Sequence, residues 1–345
     1  MRRALLPLLG ALVLLAPVAF ASDYHLFQLT LAVAYAIAIL GLNLVSGYNG
    51  QVSLGHGAFY AIGAYLSAVL MNNYGVPYWA TIPVSALVCA AFGFAVGLPA
   101  LRLGGLYLAL VTFALAVAVP QVLKVNALGP WTGGAQGIVL DKPDAPFGLP
   151  ISSDQWLYLF SLAIAAVLFL LARNLVRGRI GRAMMAVRDH ALAAEAMGVP
   201  IAMLKTRTFA ISAMYTGIAG AIGAIAVAFV APDSFDVFLS IYLFAGLVVG
   251  GVGSLLGPVF GALFVQFIPN LAQSVSKSAP GAVYGVILIA FLYFMPDGVA
   301  GALHRGVAAW TQRRAASLPD EETRGALAAD APIPTPSEGG KARVG

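Results

Sequence analysis

Apolar stretches long enough to cross a bilayer recur along most of this 345-residue chain. A helix needs about 20 apolar residues to cross a hydrocarbon layer of about 30 Å, and 60% of the residues are hydrophobic while only 10% are charged. The pattern predicts an all-α integral membrane protein with about ten transmembrane helices, because helices satisfy their own backbone hydrogen bonds in lipid. The predicted spans lie at 4–21, 25–46, 50–71, 77–98, 105–125, 155–173, 208–231, 238–255, 257–275 and 280–299.

The first apolar stretch fits two interpretations. Arg2, Arg3, the apolar run that follows them and the small-residue pattern Ala19-Phe20-Ala21 are typical of a cleavable signal peptide. The apolar run is longer than a usual signal core, which favours a retained span. With either choice, the second span enters the membrane from the same side.

Lysine and arginine residues predict the orientation, because they concentrate in cytoplasmic loops. With ten spans and a cytoplasmic N-terminus, every one of the 19 Lys and Arg residues falls inside except Lys124, Lys142 and Lys277. Both termini are then cytoplasmic. The net charge of +5 follows from this distribution and indicates no nucleic-acid partner.

The polar segments between spans differ in character. Residues 126–153 form an external loop rich in Gly, Pro and Asp, whereas 174–207 form the longest and most basic internal loop. After Leu303 the chain has few large apolar residues, which is typical of disorder. We therefore expect a transmembrane domain at 1–302 and a cytoplasmic, mostly disordered tail at 303–345.

The chain shows no motif for catalysis or for energy coupling. No charged residue lies in the middle of a predicted span, which argues against a proton pump or an ion-coupled transporter. Gly340-Lys341 lacks the spacing of a phosphate-binding loop, and the four histidines are scattered. The single cysteine, Cys89, is expected to be a packing residue. We predict that the protein is not an enzyme and binds no cofactor or metal.

The segment GYNGQVSLGHGAFYAIGAY, residues 47–65, is badly suited to a regular helix. Each glycine costs a helix about 1 kcal/mol relative to alanine, and unpaired backbone survives at membrane depth only where protein buries it or where it lines a wet cavity. We expect a discontinuous helix whose polar and glycine positions line a translocation path near the membrane centre. These positions are Asn43, Gln51, Ser53, Gly55, His56 and Gly57. For His56, a neutral side chain bonded inside the helix bundle is an equal alternative.

Other glycines suggest a repeat and helix packing. The segment GGVGSLLGPVFGA at 250–262 echoes residues 50–61, so an internal two-fold repeat of five spans is plausible. Glycines at four-residue spacing predict close helix packing, and we expect Gly93→Leu to impair assembly while Gly55→Leu blocks passage. The spaced glycines are Gly93 and Gly97; Gly253, Gly257 and Gly261; and Gly281 and Gly285.

Four motifs in order carry a resemblance to a known family. Residues 41–70, GLNLVSGYNGQVSLGHGAFYAIGAYLSAVL, resemble the signature region of the inner-membrane permease subunits of branched-chain amino acid ABC transporters, the LivM type. The resemblance continues through 178–200, 243–265 and 292–303 and covers about 25–303.

The resemblance implies an ATP-driven importer in the bacterial inner membrane. Such a permease pairs with a homologous permease, two cytoplasmic ATPase subunits and a periplasmic substrate-binding protein. The loop 174–207 fits the ATPase contact, since four apolar residues recur on one helix face while four charged residues stay solvated. The apolar residues are Met184, Val187, Ala191 and Ala194, and the charged residues are Arg182, Arg188, Asp189 and Glu195. The expected coupling residues are Arg188, Ala194, Glu195, Ala196 and Gly198.

Two other functions remain open at this point. Leucine, isoleucine and valine are the default substrates, but close relatives within the family carry urea, short amides or aromatic acids. A passive channel would also show an interrupted helix and no buried charge, but it has no need of a coupling loop.

Overall fold

The computed structural model describes residues 15–18, 20–100, 105–146, 150–303 and 305. Contacts between Cα atoms divide the chain after Gly301. The second unit, Ala302–Gly345, lies almost wholly outside the described residues, and so does most of the first predicted span. The predicted division into 1–302 and 303–345, the disordered tail and the choice between signal peptide and span therefore stay predictions.

Within the described residues, the chain folds almost entirely into helices, as predicted. A pair of two-residue strands, β1 (Ile138–Val139) and β2 (Phe229–Val230), runs antiparallel in addition. The helices are α1 (Asp23–Leu42), α2 (His56–Tyr74), α3 (Tyr78–Ala100), α4 (Leu106–Leu123), α5 (Ser153–Arg177), α6 (Arg179–Asp189), α7 (Ala191–Ala196), α8 (Ile201–Val227), α9 (Val237–Gly250), α10 (Gly257–Val275) and α11 (Pro280–Phe294).

The number of spans is lower than predicted when length and apolarity are both required. Seven helical segments of the described chain are long and apolar enough to cross a membrane, or eight if the pair Tyr107–Leu123 and Asn126–Thr132, bent by 62°, counts as one span. Helix α2 is not among the seven because His, Ser and Asn residues lower its hydropathy. The chain is a multi-pass membrane protein, and the count of ten stays a prediction.

Helices α1 and α8 form the centre of the bundle. In the most apolar part of each helix, 78% of the residues are buried in α8 and 72% in α1. In the segment Pro280–Leu303, which contains α11, only 11% are buried. Helix α8 packs against α1, α2 and α3. A Cβ atom at Gly63 of α2 would lie 2.1 Å from the carbonyl oxygen of Gly217 of α8, so only glycine allows this approach.

The packing predictions hold for most of the small residues. Cys89 is fully buried, and a Cβ atom at Gly93 would lie 2.4 Å from Ala213. Gly261 approaches the backbone of Gly246 equally closely. For Gly281 and Gly285 the prediction is wrong within the described chain, because no atom lies within 4 Å of a Cβ built on either residue.

The two ends of the bundle differ in charge. At one end, the basic segment 177–188 lies against the end of α1; we call this the basic end. At the opposite end, Lys124 forms an ion pair with Asp233, and the hydroxyl of Ser152 donates to Asp23. Consecutive long helices alternate between these ends.

Candidate functional site: two helix breaks beneath the basic loop

The glycine-rich segment breaks the helix, as predicted. Helix α1 continues into a π-helical turn, Asn43–Tyr48, and α2 begins at His56. The intervening residues 49–55 are not helical. Gly50 has φ +70°, a left-handed conformation that favours glycine. The backbone N–H of Gln51 donates to the carbonyl of Val45 at 3.0 Å, which folds the break back onto the π turn.

A second break separates α9 from α10 at residues 251–256. Gly251 and Gly253 both have positive φ, at 115° and 74°. This break lies in the segment that echoes the first one in sequence. The five-span repeat itself stays a prediction.

Asn43 joins the two breaks. Its side chain is fully buried, its Oδ1 accepts from the backbone N–H of Gly253 at 2.9 Å, and its Nδ2 donates to the carbonyl of Ser254 at 2.8 Å. A Cβ atom at Gly47 would lie 2.7 Å from the backbone nitrogen of Gly253. Asn43 therefore supplies the hydrogen-bond partners that the second break lacks, which buried backbone groups require.

His56 lies in a chain of buried hydrogen bonds. The hydroxyl of Ser212 on α8 donates to the carbonyl of Gly41 at 2.6 Å and lies 2.6 Å from Nε2 of His56. Because the hydroxyl proton is used, Nε2 of His56 donates to Ser212, and Nδ1 lies 3.1 Å from the hydroxyl oxygen of Ser53. Both ring nitrogens are therefore bonded inside the bundle, and the choice between this role and a place on the translocation path stays a prediction.

Gly55 and Gly57 make close backbone contacts of the same kind as Gly93. A Cβ atom at Gly55 would lie 2.9 Å from the carbonyl oxygen of Thr112. The backbone N–H of Gly57 donates to Ser240 Oγ at 2.9 Å, and a Cβ atom there would lie 2.6 Å from the same oxygen. The expected contrast between Gly55→Leu and Gly93→Leu is therefore not supported, because both changes collide with a neighbouring helix.

The first break begins close to the basic loop, and its depth in the membrane stays a prediction. Nε2 of Gln51 lies 3.5 Å from the carbonyl oxygen of Lys205, and Gly50 packs on the side chain of Arg188. The start of the break thus lies at the basic end of the bundle. Ser212 follows Lys205 by seven residues, about 10 Å along a helix, so His56 lies deeper. The segment descends from the basic end into the bundle.

The sequence did not single out several polar partners of this site. Ser212, Ser240 and Thr112 are all fully or almost fully buried and bond the break from α8, α9 and α4. Asn49 is also buried, and neither atom of its amide lies within hydrogen-bonding distance of another group in the described chain. The only signal of Ser212, Ser240 and Thr112 in the sequence is a lone polar residue in an apolar stretch, which also describes many packing residues. Asn49, by contrast, belongs to the glycine-rich segment itself.

The basic loop forms two short helices instead of one. Helix α6 ends at Asp189, and His190 has an extended backbone, with φ −149° and ψ 89°. The predicted single helix through Ala194 is therefore wrong. Of the predicted apolar face, Met184, Val187 and Ala194 are buried, whereas Ala191 is only partly buried.

Arg188 is exposed, as expected, but its guanidinium group also bonds within its own chain. Its Nη1 donates to the carbonyl of Gly47 at 3.0 Å, and its Nε donates to Asp189 at 2.9 Å. The side chain is 38% exposed. The guanidinium group of Arg188 therefore contacts the first break, while the side chain stays partly exposed at the basic end.

Helix α7 presents the other predicted coupling residues at the surface. Glu195 and Ala196 are exposed, whereas Ala194 is buried. Leu192 and Met197, beside Glu195, are 83% and 85% exposed, although both are large and apolar. Gly198, at φ +83°, ends the helix, because the N–H groups of Gly198 and Val199 return to carbonyls of Glu195 and Ala194.

Comparison with known proteins assigns the chain to a family. The family model described as "Branched-chain amino acid transport system / permease component" matches residues 24–295. No solved structure matches the chain.

Three relatives illustrate the similarity. The high-affinity branched-chain amino acid transport system permease protein LivM of Escherichia coli K12 is 33% identical over 293 residues, covering 78% of this chain and 68% of LivM. The permease protein LivH of the same organism is 25% identical over 293 residues, covering 79% and 92%. The permease protein BraD of Pseudomonas aeruginosa is 26% identical over 306 residues, covering 81% and 96%.

The family match includes both helix breaks, the basic loop and the helices that hold them. With a match over residues 24–295 and a relative at 33% identity, this chain belongs to the permease component family of branched-chain amino acid transport systems.

Proposed function

We propose that the protein is the membrane-spanning permease subunit of an ATP-driven importer of branched-chain amino acids. The observation that carries this proposal is the family match over residues 24–295, together with relatives whose names specify high-affinity branched-chain amino acid transport. A permease component is not an enzyme, so the energy for import comes from separate subunits. We place the protein in a bacterial inner membrane with both termini cytoplasmic, which makes the basic end cytoplasmic.

The partners follow from the same relatives. LivM and LivH are both permease proteins of Escherichia coli, and this chain is similar to each of them. We therefore propose a heterodimer with a homologous permease in the surrounding membrane lipid. Two cytoplasmic ATPase subunits and a periplasmic substrate-binding protein complete the proposed transporter.

The ATPase contact in this proposal is the exposed surface of α7. Leu192, Glu195 and Met197 combine two exposed apolar side chains with one carboxylate on a six-residue helix. Exposed apolar groups of this size commonly mark a protein contact. Ala194 and Gly198 support this surface without being part of it. Ala194 packs α7 against the core, and Gly198 ends the helix.

The translocation path stays a proposal at the six predicted positions. In the described conformation Asn43, Gln51, Ser53 and His56 are buried and bonded within the chain. The exposed edge of the break is formed by Gly50 and Val52. We propose that substrate passes along this edge, between the two permeases, when the contacts around Gly55 and Gly57 loosen.

Uptake by the reconstituted transporter tests the function. The permease pair, ATPases and binding protein are placed in proteoliposomes and given labelled leucine, isoleucine or valine, with urea, acetamide and phenylalanine as competitors. We expect uptake of the branched-chain amino acids that requires ATP. Uptake without ATP would indicate a passive channel. Stronger competition by urea, acetamide or phenylalanine than by the branched-chain amino acids would indicate that the transporter carries that class of substrate instead.

The α7 surface has a separate test. Glu195→Lys combined with Gly198→Pro should leave the protein in the membrane but weaken ATPase binding and abolish uptake. Leu192→Ser and Met197→Ser should weaken ATPase binding in the same way. The matched control is Val139→Ser, since Val139 is 72% exposed at the opposite end. Normal uptake by the Glu195 double variant would overturn the assignment of α7.

A further inference from the structure

The contacts of Arg188 link the basic loop directly to both helix breaks. Nη1 of Arg188 donates to the carbonyl of Gly47, at the end of the π turn. A cation is favoured at this position, because the carbonyls at a helix end carry partial negative charge. A hydrogen bond from a charged group is also stronger than one between neutral groups.

The aliphatic part of the Arg188 side chain also packs closely, against Gly50. A Cβ atom at Gly50 would lie 2.7 Å from Cγ and 3.3 Å from Cα of Arg188. Gly50 also has φ +70°, so a side chain at this position would be strained as well as crowded. The first break therefore follows the backbone of α6 at Arg188, with the side chain fixed between Gly47 and Gly50.

The second break lies within reach of the same group. A Cβ atom at Gly253 would lie 3.6 Å from Nη1 of Arg188 and 3.8 Å from the carbonyl oxygen of Gly47. Asn43 then ties Gly253 and Ser254 to the first break through two buried hydrogen bonds. Arg188, Gly47, Asn43 and Gly253 thus form a continuous set of contacts from the loop to both breaks.

The loop itself is built so that a movement of α7 reaches Arg188. Helix α6 carries Arg188 in its last turn and packs through Met184 and Val187, which are both buried. The extended residue His190 joins it to α7. Only Asp189 and His190 separate Arg188 from the first residue of α7, so a movement of α7 is passed to Arg188 through two residues.

We propose that Arg188 is a positioning residue that transmits movement of the basic loop to both helix breaks at once. This role rests on the proposed function, since it couples ATPase action to the permease. It differs from the expected role of Arg188, because the guanidinium group contacts the helix breaks of its own chain.

Hydrogen exchange measures the physical link without any need for transport. The reporter amides are Gln51, bonded to Val45, and Gly253, bonded to Asn43. In the assembled transporter in nanodiscs, Arg188→Met should raise exchange at both amides by about tenfold, the effect of losing one charge-assisted hydrogen bond. The matched control is Arg182→Met, because Arg182 lies on the same helix and donates only to Arg177 within the loop. Arg182→Met should change neither amide.

The second measurement is the number of substrate molecules imported per ATP hydrolysed. Arg188→Met should lower this ratio severalfold while the amount of assembled complex stays the same, a result that loss of folding would not give. Arg188→Lys keeps the charge and the stem, so it should restore part of both readouts. If the Met variant is not recovered, the Lys variant alone should show a smaller rise at both amides.

Three results would overturn the proposal. These are a rise at Gln51 without one at Gly253, a rise at both with an unchanged import ratio, and an equal effect of Arg182→Met. Failure of the wild-type complex to import amino acids would instead reject the proposed function, and the exchange data would still decide whether Arg188 holds the breaks.

Discussion

Replacing Gly63 by alanine should test the close approach of the two central helices α2 and α8. The added Cβ atom would lie 2.1 Å from the carbonyl oxygen and 2.6 Å from the Cα atom of Gly217. Ordinary van der Waals contact begins at 3.4 Å, so the helices must separate by more than 1 Å. Gly217 is also backed by Cys89, since a Cβ atom there would lie 2.4 Å from Sγ. The two backbones have no space into which they can shift.

The size of the effect follows from measured overpacking. Inserting a methyl group into a packed core typically costs about 1–3 kcal/mol, and a contact of backbone against backbone places Gly63→Ala at the upper end. At about 2 °C per kcal/mol, typical of the larger proteins for which this scaling is known, the melting temperature should fall by about 6 °C.

The matched control is Gly285→Ala in α11. Gly285 is helical and has no atom within 4 Å of a built Cβ, so alanine should only gain helix propensity, up to about 1 kcal/mol. Both variants are measured by thermal unfolding of purified protein in the same detergent. A melting temperature of Gly63→Ala within about 1 °C of wild type would refute the packing argument.

Two further predictions concern orientation and the buried network. In a Cys89→Ala background, cysteines at Ala135 and Ala193, both exposed, should differ in intact spheroplasts: an impermeant thiol reagent should label only Ala135, and labelling at Ala193 would reverse the proposed topology. Ser212→Ala removes two buried hydrogen bonds and should lower the free energy of unfolding by about 2–4 kcal/mol. The control is Ser274→Ala, which removes one exposed hydrogen bond and should change the free energy of unfolding by less than about 0.5 kcal/mol. Equal effects in thermal unfolding would contradict the network.

The sequence by itself determined the class of fold and the location of the break. Long apolar stretches leave no choice but helices, because lipid offers no partner for backbone groups. The glycines around Gly50 and Gly55 weaken a helix wherever they lie, so the interruption was predictable from local preferences alone. The buried face of Met184 and Val187 followed in the same way from helical spacing.

Only the tertiary structure decided what the break contacts. Asn43 and Gly253 are separated by 210 residues, and no local pattern pairs them. The contact of Arg188 with the first break likewise depends on Gly47 and Gly50, which reach it through the packing of α1 against the loop. Local sequence predicts where backbone groups lose their partners. Which side chains replace those partners is decided by helices distant in sequence, because a buried hydrogen bond forms wherever packing brings a donor to an acceptor.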